Sequence, residues 1–157
     1  MSRLFAVEVV EPPDAAAPDS ETLRERRLAI EELIEENRFA PTDARAPHGP
    51  YRLRLSLADG RLAFSLETES GAAAGEVHLS LTPFRQVLRD YFQIVAAYHA
   101  GVRSLPPAKL EAIDMGRRGI HNEGARLLGE RLAGKIDTDE ATTRRLFTLI
   151  CAVVRDI

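Results

Sequence analysis

"YRLRLSLADGRLAFSL", residues 51–66, is the stretch that decides the fold. Tyr51, Leu53, Leu55 and Leu57 alternate with polar residues, and Leu62, Phe64 and Leu66 alternate again after "ADGR". Side chains of a strand point to opposite faces in turn, so each half predicts a strand with one apolar face. Asp59 and Gly60 between them have the chemistry of a two-residue hairpin turn. Downstream, "EVHLSL" repeats the pattern with Val77, Leu79 and Leu81, which predicts a third strand of an antiparallel meander. Arg52, Arg54, Ser56, Ser65, Glu67, His78 and Ser80 then share the opposite, polar face.

Upstream, residues 38–50 hold three prolines and a glycine, and so read as an irregular connection. Before it, Asp19 or Ser20 is placed to cap a helix running to about residue 37, with Leu23, Ile30, Leu33 and Ile34 as its inward stripe. The β-branched and aromatic run "LFAVEVV", residues 4–10, predicts a first strand that ends at Pro12 and Pro13.

After the meander the pattern turns helical. Thr82 and Pro83 open a helix whose apolar residues, Phe84, Val87, Leu88, Tyr91, Ile94, Val95 and Tyr98, mark it as the core helix. Residues 108–133 carry a second helical pattern that stops at Gly134. Asp137 and Glu140 stand at capping-box spacing before a last apolar helix, "TTRRLFTLICAVV". The expected fold is α+β: three meander strands plus an N-terminal strand, packed against an N-terminal helix and a C-terminal half of three helices. With 157 residues and no long linker, the chain is expected to form a single domain over 1–157.

Composition excludes several classes. The chain is 45% apolar and 29% charged, and its net charge of −3 gives no general attraction to nucleic acid or anionic membranes. No run approaches the roughly 18 apolar residues of a membrane span, and the first residues lack a signal-peptide pattern, so a cytoplasmic protein is expected. The one cysteine, Cys151, falls in the apolar run "LFTLICAVV" and reads as structural.

The segment "AIDMGRRGIHNEG", residues 112–124, breaks this simple periodicity. On a straight helix Asp114, Arg117 and His121 fall on the same stripe as Leu110, Ile113, Ile120, Leu127, Leu128 and Leu132. Arg118 lies on its shoulder, while Asn122 and Glu123 point elsewhere. A buried unpaired charge costs several kcal/mol, so these groups must pair or line a wet groove. Asp114 has the spacing to pair with Arg117 and Arg118. Gly116, Gly119 and Gly124 imply either close approach of another backbone or a break, with Gly119 ending one helix and Asn122 capping the next. Both geometries remain open at this point.

"HLSLTPFRQVLRDYFQI", "AIDMGRRGIHNEGA" and "TRRLFTLICAV", with the hairpin, resemble an uncharacterised protein family of alphaproteobacteria, number zero-two-six-two of the UPF list. The resemblance runs from Glu21 to Val153 and implies no reaction, cofactor or partner. The loops near Ala15 and Ala73 and the tail "VVRDI" depart from the family pattern, and no function is placed there.

The residues themselves favour a non-catalytic binding or adaptor module. Asp114, Arg117, Arg118, His121, Asn122 and Glu123 would hold a partner protein or a small anionic ligand, the arginines as bidentate donors and His121 as a tunable one. The plain structural reading is an ionic network that locks helix against sheet. One alternative is a small hydrolase or phosphate-handling enzyme with Asp114 and His121 as an acid–base dyad; no nucleophile elbow or phosphate loop accompanies it, and the balance leans away from catalysis. Another is a nucleic-acid binder of helix-turn-helix type, drawing on "GRRG", Arg52 and Arg54, against which the acidic net charge argues. His99, His121, Asp114 and Glu123 match no standard metal-ligand spacing, so no metal and no cofactor is expected, and the oligomeric state is left open.

Overall fold

The computed structural model describes residues 2–155, so the last two residues of the "VVRDI" tail lie outside it. Strand β1 spans Leu4–Val10, helix α1 Ser20–Glu35, β2 Phe39–Pro41, β3 Tyr51–Ala58, β4 Arg61–Thr68 and β5 Ala73–Ser80. Helix α2 spans Arg85–Gly101, α3 Pro107–Leu132, β6 Ile136–Thr138 and α4 Glu140–Val153.

The hairpin forms as its alternation requires. Asp59 and Gly60 both take positive φ, 54° and 70°, the conformation of a turn whose twist matches the flanking strands. Leu53 then faces Leu66, Leu55 faces Phe64 and Leu57 faces Leu62 across β3 and β4. In β4 and β5, Leu62 faces Leu79 and Phe64 faces Val77. The sheet order is β1-β3-β4-β5, with β1 joined parallel at the edge of the antiparallel meander. The polar face carries an ionic ladder: Arg54 bridges Glu8 and Glu67, at 2.5 and 3.2 Å, and Arg52 pairs with Glu67 at 3.2 Å.

The apolar face is covered by helices, and the centre of that cover is α4. Thr142, Thr143, Leu146, Phe147, Leu149, Ile150, Ala152 and Val153 of this helix are all buried. It packs between α1 and α3, and α2 packs on α3. The sequence pattern makes α2 the core helix; in the structure only Leu88 and Gly101 of α2 are buried, because its other apolar residues sit half-covered at its seams. One hydrophobic cluster joins sheet and helices, from Leu4 and Phe64 to Leu128 and Phe147.

Four further expectations are corrected. Leu23 of α1 is 51% exposed, and its place inward is taken by Thr22, Arg26, Ala29 and Leu33. Arg26 is tolerated there because its Nε donates to the Ala152 carbonyl near the end of α4 at 2.9 Å and its guanidinium pairs with Glu11. The connection 38–50 is not wholly irregular: β2 pairs antiparallel with β6, a two-stranded clasp too short to show periodicity. Its presence displaces the α4 cap from Asp137 to Asp139, whose carboxylate accepts from the Thr142 amide at 2.8 Å. At the start of α2, Thr82 belongs to a 3-10 turn, Thr82–Phe84, and makes no side-chain cap.

Candidate functional site

Helix α3 runs unbroken from Pro107 to Leu132, which decides between the two sequence geometries and removes the turn that a helix-turn-helix reading needs. The glycines show why continuity is possible. A Cβ on Gly124 would lie 2.1 Å from Cζ of Phe147, and one on Gly116 would lie 2.8 Å from Cδ1 of Ile94, so both admit a side chain of a neighbouring helix. Gly119 has nothing within 4 Å. The charged segment therefore lies against α2 and α4, not against the sheet.

Those contacts set the side chains in order. Asp114 Oδ1 accepts from Arg117 Nε at 2.9 Å, and Oδ2 pairs with Arg118 Nη2 at 3.0 Å. Burial works against the Arg117 charge, but hydrogen bonds to Asp114 and to the Tyr91 hydroxyl outweigh it and hold its pKa above the ordinary arginine value. Arg118 keeps 70% of its side chain exposed although one of its nitrogens is engaged by Asp114.

His121 does not pair with Asp114. Its Nε2 lies 2.8 Å from Thr148 Oγ1, and that hydroxyl donates to the Arg144 carbonyl at 3.1 Å. A hydroxyl has one hydrogen, so Thr148 must accept from His121, which puts the imidazole proton on Nε2 and leaves a lone pair on Nδ1. The ring is wedged between Tyr91 and Phe147, with centroids at 5.6 and 5.2 Å. Burial, followed by the charges of Arg117 and Arg144, lowers its pKa below 6.5, so it is neutral near pH 7.

Together Tyr91, Arg117, Arg118, His121, Asn122, Arg144 and Thr148 line an open cleft of about 450 Å³. Three guanidiniums edge it, against the partners Asp114 and Glu140, the latter 3.1 Å from Arg144. The cleft presents planar donors, a phenol and an amide, a donor set suited to a carboxylate or phosphate oxygen.

Of the six residues that the sequence singles out, Arg117, Arg118, His121 and Asn122 line this cleft and Asp114 orients two of them. Glu123 does not take part: it pairs with Arg126 at 2.5 Å on the outer side of α3. Tyr91, Arg144 and Thr148 escaped sequence reasoning, since they join the site only through the packing of α2 and α4 on α3. An i, i+4 relation between Arg144 and Thr148 in "TRRLFT" was the one visible sign. The acid–base dyad is not assembled, because Asp114 is engaged by two arginines and His121 by Thr148. Arg52 and Arg54, invoked for nucleic acid, are held by Glu67 and Glu8. Among the described residues no group of three or more His, Cys, Asp or Glu is placed to hold a metal ion, and no helix is long and apolar enough to cross a membrane.

The comparisons with known proteins agree with one another. A family model described as "Uncharacterised protein family (UPF0262)" matches residues 1–155. A UPF0262 protein of Jannaschia sp. is 58% identical over 137 residues, covering 87% of this chain and 88% of that one. One from Ruegeria pomeroyi is 51% identical over 156 residues, 98% of this chain and 96% of its own. One from Paracoccus denitrificans is 54% identical over 140 residues, 87% and 86% of the two chains. No solved structure matches.

Proposed function

The chain belongs to the uncharacterised protein family UPF0262, and on the geometry of its α2–α3–α4 cleft we propose that it is a single-domain, cytoplasmic, non-catalytic binding module that holds an anionic group. The group is a carboxylate or a phosphate, carried by a small ligand or by a partner protein. The observation that supports this reading is the exposure of Arg118 beside Arg117 and Arg144 on one cleft, with a single shared aspartate between the first two. A purely structural network would cover its guanidiniums; here the most exposed arginine of the set contributes least to packing. Arg117 fixes the geometry through Asp114 and Tyr91, Arg118 and Arg144 supply the guanidinium donors that Asp114 and Glu140 do not take up, and Asn122 adds an amide at the edge.

His121 tunes the site. Neutral, it offers the cleft no charge; an anion seated beside it favours the imidazolium, so binding should take up a proton and tighten as pH falls. The test is a titration with inorganic phosphate and with acetate, followed by amide and arginine side-chain NMR shifts. Wild type should show saturable shifts confined to the cleft, and Arg118→Ala with Arg144→Ala should lower affinity by about tenfold or more while the circular dichroism spectrum stays unchanged. Equal binding by the variant would end the proposal, and loss of fold on Arg118→Ala would favour the structural network.

A further inference from the structure

A second concave surface adjoins this cleft and has a different chemistry. Between α1 and α2 runs a groove floored by Thr148, Cys151 and Ala152 of α4, with a cavity of about 520 Å³ toward one end and one of about 340 Å³ toward the other. Phe92, Val95, Glu25 and Cys151 line both cavities, which makes them parts of one trough. One wall is apolar: Tyr91, Phe92 and Val95 on α2, at helical spacing. Leu28, on α1, projects into the trough with 49% of its surface exposed.

The opposite wall is acidic. Glu21, Glu25, Leu28, Glu32 and Glu35 follow one another on α1 at intervals of three and four residues, so they form a single stripe. Glu25 is paired, with Arg155 at 3.5 Å, and Glu31 beside the stripe is met by Arg27 at 4.0 Å. Among the described residues Glu21, Glu32 and Glu35 have no cationic partner. An exposed leucine and half-covered aromatics set beside unneutralised carboxylates are unfavourable to leave in water and in like-charge proximity, and both penalties are relieved by one kind of ligand.

We infer that the α1–α2 groove docks a cationic amphipathic helix of a partner protein, its apolar face on Phe92, Val95, Leu28 and Cys151 and its lysines or arginines along the α1 glutamates. The length agrees. From Glu21 to Glu35 the stripe is about 21 Å long at 1.5 Å per residue, which accommodates a helix of about 14 residues. The sign of the charge excludes an anionic membrane surface and disfavours a second copy of this net-negative chain. This inference goes beyond the anion-binding reading and stands without it.

The chain has no tryptophan, so a probe peptide carrying one is observed without background. The probe is a 14-residue helix with leucines and one tryptophan on one face and lysines on the flanks, alongside a version with glutamates in place of the lysines. With the full chain, the lysine peptide should give a blue-shifted, saturable 1:1 signal with a dissociation constant on the order of tens of micromolar. Glu32→Lys with Glu35→Lys, two exposed and unpaired positions, should weaken it by about tenfold or more and should strengthen the glutamate peptide. Leu28→Ser should weaken both peptides, and Arg118→Ala, at the rim of the other cleft and outside this groove, should leave the lysine peptide unaffected. Absence of binding, equal affinity for the two peptides, or indifference to the charge reversal would overturn the inference. So would a dimer mass in light scattering that Leu28→Ser or Glu32→Lys with Glu35→Lys converts to monomer, which would assign the groove to a second copy of the chain.

Discussion

Replacing Gly124 by alanine should destabilise the protein, although alanine is the better helix former. The added methyl would stand 2.1, 2.5 and 2.6 Å from three ring carbons of Phe147, whereas ordinary contact begins at 3.4 Å. Phe147 is fully buried in the central helix, so the ring must retreat by more than an ångström into packed core, or α3 must lift away from α4. Overpacking of this kind costs about 1–3 kcal/mol, and three close carbons on a fully buried ring put it at the upper end. The alanine gain of about 1 kcal/mol offsets part of that, which leaves a net loss of about 2 kcal/mol. Gly119→Ala is the matched control: it meets nothing within 4 Å, so it should stabilise by about 1 kcal/mol. Urea unfolding followed by far-ultraviolet circular dichroism reads both, and in a chain of this size each kcal/mol moves the melting temperature by about 2–4 °C. Phe147→Leu should cost less in the Gly124→Ala background than in wild type, because it opens room for the methyl. If Gly124→Ala matched or exceeded wild type at an unchanged m value, the close approach of α3 to α4 described above would be wrong.

Three further outcomes are expected. The folded-state pKa of His121 lies below its unfolded value of 6.5, so the unfolded chain binds the proton more readily; stability should fall as pH drops below about 6.5, and His121→Asn should flatten that slope in urea midpoints across the range. Arg26→Met, which deletes the donor to the Ala152 carbonyl and the partner of Glu11, should cost about 1–3 kcal/mol in the same assay, while Arg27→Met on the exposed face should stay within about 0.5 kcal/mol of wild type. Gly60→Val places a β-branched residue at a φ of 70° and should cost at least about 1–2 kcal/mol, read as a lower thermal midpoint.

The sheet was legible in the sequence because its period is two and its turn is local. Asp59-Gly60, Leu53 facing Leu66 and Leu55 facing Phe64 all follow from sixteen consecutive residues. Helix existence was equally legible, but rank within the core was not. The apolar residues of α2 are as regular as those of α4, and only the packing of α1 and α3 on α4 makes the latter central. Leu23 was misplaced for a related reason: periodicity treats Arg26 as a surface residue, and its burial depends on a carbonyl and a carboxylate supplied by distant segments. The β2–β6 clasp spans three residues on each side, below the length at which any pattern exists. In the candidate site, the α3 residues were found from rotation about one helix axis. Tyr91, Arg144 and Thr148 were not, because they come from two other helices, and Glu123 was included on proximity in sequence alone.

The position of α4 bears on how the chain is made. During synthesis the strands and the first three helices leave the ribosome before α4, so the nascent polypeptide lacks the most heavily buried helix of its core until residue 153 has emerged. Folding to the native state must then wait for contacts between distant parts of the chain, among them Arg26 with Ala152 across 126 residues. A stop codon ahead of Glu140 would release a product without the buried residues of α4, and quality-control proteases would be expected to clear it.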